Sequence, residues 1–139
     1  MSLKRDEALR ATRVTLGKSK LVYVLVADKR LKYKSGRSRI VYIGTTKKGV
    51  ARIAHSVATR ADHILGLPGV RTFSARVVTC RPRQKVSTWR KLERALLLSS
   101  RERFGEVPEC NLHGKKFKER DEFKYFSKTK VSKVIDELT

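Results

Sequence analysis

The chain has 139 residues, the length of one domain that buries roughly two thirds of its unfolded surface around a single core. Hydrophobic residues, at 40%, suffice for that core, but 34 Lys and Arg stand against 13 Asp and Glu, a net charge of +21. Such an excess asks for a polyanion. Nucleic acid is the first choice, because phosphates neutralised by Lys and Arg release counterions whatever the base sequence. An anionic membrane surface is the rival, yet no apolar run approaches the ~18 residues of a spanning helix and the N-terminus lacks a signal-like apolar stretch. The expectation is a soluble, intracellular, cytoplasmic protein. Cys80 and Cys110 stand alone, with no paired-Cys motif, so they predict free thiols, neither a disulfide framework nor a zinc site.

Residues 1–20 are polar and basic, with Leu3, Ala8, Leu9 and Ala11 offering at most a short helix, and are expected as an extension. Leu21 to Ala27 (LVYVLVA) is rich in β-branched residues and predicts a strand, followed by a basic loop from Asp28 to Arg39. A second short strand, Ile40 to Ile43, ends at Gly44, and the two most simply form an antiparallel hairpin. From Val50 to Leu65, apolar residues recur every three or four positions, the period of an amphipathic helix that stops at Gly66. Off that stripe, Arg52, His55 and Thr59 share one polar edge. Phe73 to Cys80 predicts a third strand, interrupted by Arg81, Pro82 and Arg83.

After Ser87, a plausible N-cap, the spacing of Trp89, Leu92, Leu96, Leu97 and Phe104 predicts a long helix ending near Gly105. Glu93 lies one turn from Trp89 and from Leu97, at the border of the buried face. A carboxylate there needs a partner, and a metal ion is one. The tail from Lys115 to Thr139 mixes basic residues with Phe117, Phe123, Tyr125 and Phe126, then closes on an amphipathic stretch through Val131, Val134, Ile135 and Leu138. Core packing is the favoured role of these aromatics, although bases also stack on exposed rings interleaved with lysines. The fold expected is α+β: a single domain with a small three-stranded antiparallel sheet flanked by helices.

This order of parts resembles the GIY-YIG nuclease superfamily. The two strand motifs stand here as Leu21-Val22-Tyr23, which keeps only its tyrosine, and Tyr42-Ile43-Gly44, which is intact. Downstream come a helical arginine at Arg52, a histidine near one turn later at His55, a glutamate in a later helix at Glu93, and an asparagine in the loop beyond at Asn111. The match covers residues 21–114 and marks them as the nuclease-like domain, with residues 115–139 a basic, aromatic extension packed on it.

The resemblance implies a metal-dependent endonuclease that hydrolyses phosphodiester bonds, most simply in DNA. Tyr23 or Tyr42 would be the general base, His55 would share or relay the proton, and Arg52 would stabilise the phosphoryl transition state. Glu93 would hold Mg²⁺ (or Mn²⁺), a hard ion suited to a carboxylate and waters, and Asn111 would fix the site by hydrogen bonding. Lys47 and Lys48, with Arg37 and Arg39 on the loop and Lys115 and Lys116 on the tail, would position the nucleic-acid backbone without reading sequence. His63 and His113 read as surface or structural residues. No separate recognition module is present, so a homodimer or a partner protein could supply specificity. The alternative is a non-catalytic basic nucleic-acid-binding protein that retains the fold, and Leu21 in the place of the first glycine is its main support.

Overall fold

A computed structural model describes Ser2 and residues 17–139 of the chain. The helix expected through Leu3 to Ala11 lies outside the described residues. Three strands, β1 (Leu21–Tyr33), β2 (Gly36–Thr46) and β3 (Phe73–Val78), form an antiparallel sheet in the order β2-β1-β3. Among the described residues four helices accompany it: α1 (Gly49–Leu65), α2 (Thr88–Phe104), α3 (Glu122–Tyr125) and α4 (Lys128–Leu138). The α+β architecture read from the sequence is the one observed. None of the described helices is long and apolar enough to cross a membrane.

Alternation along β1 explains the layering, because successive side chains of a strand point to opposite faces. Val22, Val24 and Val26 face α2 and α4, where they meet Leu92, Leu96, Val131 and Ile135. Leu21, Tyr23, Leu25 and Ala27 face the other way, onto Ile53 and Ile64 of α1. Every residue from Leu21 to Ala27 is buried, so the central strand reads as one apolar run.

The segment expected as a basic loop, Asp28 to Arg39, is instead the distal half of a long β-ribbon. Leu31 pairs with Ser38, Lys32 with Arg37 and Tyr33 with Gly36, so only Lys34 and Ser35 turn the chain, and Gly36 accepts φ +114°. Charged residues are tolerated there because most of the ribbon stands in solvent, where neither face excludes Lys or Arg. Tyr33 is its apolar anchor, packed on Phe104, with its hydroxyl donating to the Ile40 carbonyl at 2.6 Å. The third strand stops at Val78, two residues earlier than expected.

The tail is held by arginines that point inward from α2. Arg94 pairs with the buried carboxylate of Glu122 at 2.5 Å, donates to the Lys118 carbonyl at 3.0 Å, and lies over the Phe117 ring. Two turns on, Arg101 donates to the carbonyls of Gly114, Lys115 and Phe117. Burial pushes the Glu122 carboxyl up, but the Arg120 N–H and Arg94 outweigh it and hold it below the usual carboxylate range. Arg30 and Arg39 both donate to the Thr139 carbonyl, at 3.0 and 3.1 Å, which ties the end of α4 to the ribbon.

Candidate active site

The two motif tyrosines meet on the α1 face of the sheet. Tyr23 lies opposite Gly44 in the β1–β2 register and Tyr42 opposite Leu25, and directly opposed residues of an antiparallel pair share a face. Their ring centres are 5.9 Å apart at a tilt of 41°. Gly44 is required by this arrangement, because a Cβ built on it would stand 2.5 Å from Cε1 and 2.8 Å from the hydroxyl of Tyr42. The tyrosine two residues earlier folds its ring across the glycine, so Tyr-Ile-Gly is one packing unit.

Helix α1 completes the pair with residues the sequence reading passed over. The Tyr23 hydroxyl donates to Ser56 Oγ at 2.6 Å, and Arg60 donates to the same oxygen at 2.7 Å. The Arg60 guanidinium lies 3.9 Å from the centre of the Tyr42 ring, a close cation–π contact. Burial pushes the Tyr42 hydroxyl up to about 12, Tyr23 adds to this, and Arg60 opposes it. Tyr42 is therefore a neutral hydrogen-bonding group at pH 7.

Arg52 and His55 are exposed on α1, and among the described residues no hydrogen bond or ion pair joins their side chains to either tyrosine. The inward face of the helix runs through Ile53, Ser56 and Ile64, while Ala54, Ala58 and Leu65 turn to solvent. Alanines contribute little on burial, so the helix is oriented by its two isoleucines and by the hydroxyl of Ser56. Arg52, Ser56 and Arg60 are spaced i, i+4, i+8, one stripe along the helix. That spacing is the signal by which Ser56 and Arg60 could have been found.

On the other side of β2, the Asn111 side chain copies a paired strand. Its Oδ1 accepts from the Ile43 N–H at 2.9 Å and its Nδ2 donates to the Ile43 carbonyl at 2.8 Å, while the Cys110 N–H donates to the Val41 carbonyl at 2.9 Å. The edge of β2 is thus closed on both sides of Tyr42. Two residues on, His113 Nε2 stands 3.6 Å from Glu93 Oε1. Glu93 is 14% exposed; burial pushes its carboxyl up, while His113, Arg90 and Arg94 pull it down. Its charge reaches Tyr42, whose hydroxyl it helps to raise. The Glu93 border position expected from the sequence is observed, and the side chain at ion-pair distance from it is His113, which reads from the sequence as a surface or structural residue.

Comparison of the chain with family models, curated proteins and solved structures finds no match.

Among the described residues no group of three His, Cys, Asp or Glu side chains surrounds a common point. Glu93, 3.6 Å from His113, offers one carboxylate. That set does not fit a fully enclosed zinc-type site. Of the residues expected to position a nucleic-acid backbone, Lys47, Lys48, Arg37, Lys115 and Lys116 are exposed, whereas Arg39 is half-buried and committed to Thr139.

Proposed function

We propose that the chain is a metal-dependent endonuclease of the GIY-YIG type, acting on nucleic acid and most simply on DNA. The observation that carries this reading is the packing of Tyr42 against Tyr23 on one face of the sheet under the Arg60 guanidinium, with the mostly buried Glu93 carboxylate on α2. A buried carboxylate raised by desolvation gains from a cation, and a +21 chain gains from phosphate. When Mg²⁺ or Mn²⁺ is bound by Glu93, it supplies positive charge for the phosphoryl oxygens and an activated water.

The residues of the chain then divide the remaining work. Tyr42, neutral up to about pH 12, donates a hydrogen bond to a phosphoryl oxygen or to the attacking water. The base is Tyr23 in its phenolate form, which would take the proton of the attacking water while the Ser56 hydroxyl, held beside the Arg60 cation, turns to donate to it. Arg52, exposed one turn before Ser56, offers a planar fork for two phosphate oxygens, and His55 beside it relays protons to solvent. Asn111 holds the strand that carries Tyr42. Lys47, Lys48, Lys115 and Lys116 lie along the flanking backbone.

The second reading, a non-catalytic nucleic-acid-binding protein, draws on the burial of the tyrosines. Tyr23 is 3% and Tyr42 7% exposed, and the Tyr23 hydroxyl is satisfied within the protein. Replacing each tyrosine by phenylalanine divides the two. In a nuclease, Tyr23→Phe lowers the cleavage rate by about 10²–10⁴-fold, the usual contribution of a general base, with binding intact. In a binder neither substitution has a rate to change.

A further inference from the structure

On the sheet face away from the tyrosines, the edge of β3, the start of α2 and the α3–α4 segment enclose a groove of about 390 Å³. Its floor is core: Val78, Leu92, Leu96 and Val131. Its rim is cationic and aromatic: Arg81, Arg83, Lys130 and Tyr125. Among the described residues no Asp or Glu lines it. The rim loop is well defined. Arg83 and Val86 form an isolated bridge, the Thr88 hydroxyl donates to the Arg81 carbonyl at 3.2 Å, and Lys85 turns the chain at φ 58°, the only positive φ outside glycine among the described residues.

We infer that this groove binds one unstacked nucleotide of a single-stranded segment. Its base would lie on the apolar floor against the Tyr125 ring, and its phosphates on Arg81, Arg83 and Lys130. The inference rests on the nucleic-acid reading above, and not on catalysis. The volume suits a flat heterocycle with its sugar, and an aromatic ring beside cations is how proteins hold single strands without reading their sequence. Arg83 stands 5.4 Å from the Tyr125 ring centre, looser than the 3.9 Å of Arg60 on Tyr42. It can therefore leave the ring for a phosphate, whereas Lys91, 5.1 Å from the same ring centre, is held by Asp121 and stays; the base takes the position that Arg83 vacates. Charge complementarity selects an anion, and the aromatic wall favours a nucleotide over an acidic peptide.

The test is equilibrium binding of a fluorescent 12-nucleotide single strand carrying one 2-aminopurine, in chelator, so that cleavage plays no part. The wild type binds and quenches the 2-aminopurine. Tyr125→Ala weakens binding roughly tenfold or more and abolishes the quenching, as loss of one stacking platform does, whereas Tyr125→Phe retains both. Arg83→Gln, which leaves the floor intact, weakens binding and flattens its salt dependence. Unchanged melting temperatures separate these losses from unfolding. If the wild type binds but Tyr125→Ala and Arg83→Gln match it, the groove proposal fails and the nucleic-acid reading stands. If an acidic peptide of equal charge displaces the strand equally well, the groove is a peptide site and the proposal also fails. If the wild type binds no single strand yet retards duplex plasmid on a gel, the groove proposal fails and the nucleic-acid reading stands; if it binds neither, both fail.

Discussion

Asn111→Ala removes both partners that the loop offers to the edge of β2. The Asn111 side chain is 2% exposed and satisfies the Ile43 N–H and carbonyl at 2.9 and 2.8 Å. A buried donor or acceptor left without a partner costs about 1–3 kcal/mol. Two such groups give about 2–6 kcal/mol, the lower end applying if water enters the space vacated. Domains of this kind have about 5–15 kcal/mol in total, so the variant folds but melts early. Urea denaturation monitored by Trp89 fluorescence measures the loss. Asn111→Asp refines the test, because the introduced carboxylate still accepts from the Ile43 N–H but opposes the Ile43 carbonyl. Its pKa is raised in the folded state, so its stability deficit shrinks as pH falls, when the protonated carboxyl can donate to that carbonyl. A loss under about 1 kcal/mol for Asn111→Ala, or a pH-independent deficit for Asn111→Asp, would refute the strand-mimic argument.

Three further predictions concern charge and packing. Burial raises the Tyr33 and Tyr42 hydroxyls to about 12, so the folded state holds their protons where the unfolded chain releases them near 10. Stability contributed by these groups is complete below pH about 10 and is lost as pH rises toward 12; urea midpoints across that range should fall, and less steeply in Tyr33→Phe. Glu93→Gln should leave the melting temperature unchanged or higher at pH 7, because it replaces a desolvated carboxylate, while abolishing any Mg²⁺-dependent cleavage; a large drop in melting temperature would recast Glu93 as structural. Glu122→Ala, which strands Arg94 beside an emptied pocket, should destabilise by about 3–5 kcal/mol in chemical denaturation and expose the tail to limited proteolysis, and a neutral result would show the pair to be incidental.

The elements that sequence reading located best are those with a single strong period. The helices begin and end within a residue or two of the expected Val50–Leu65 and Ser87–Gly105 bounds, because apolar spacing and the terminal glycines Gly66 and Gly105 agree there, although Ser87 at the start of α2 makes no side-chain capping hydrogen bond. The ribbon beyond Ala27 was illegible, since strand patterning reports a buried face and most of this stretch has none. The site was legible where residue types carry geometry on their own. Tyr42 and Gly44 are coupled by a steric contact, and Asn111 has the donor and the acceptor needed to imitate a backbone. The inward face of α1 was misjudged because alanine weighs as much as isoleucine in a simple apolar pattern. That error hid Ser56 and Arg60. His113 was passed over because its partner, Glu93, is 20 residues away in sequence and adjacent only once α2 has packed.

The central claim is tested most directly by incubating supercoiled plasmid with the wild-type protein and with Glu93→Ala, each in Mg²⁺ and in chelator. A nuclease built on Glu93 nicks or linearises the plasmid only as wild type with Mg²⁺, while Glu93→Ala still retards the plasmid on a gel. Wild-type protein that binds plasmid, branched DNA and single-stranded RNA yet cuts none of them in Mg²⁺ or Mn²⁺ would contradict the account and leave a basic nucleic-acid-binding protein on the same fold.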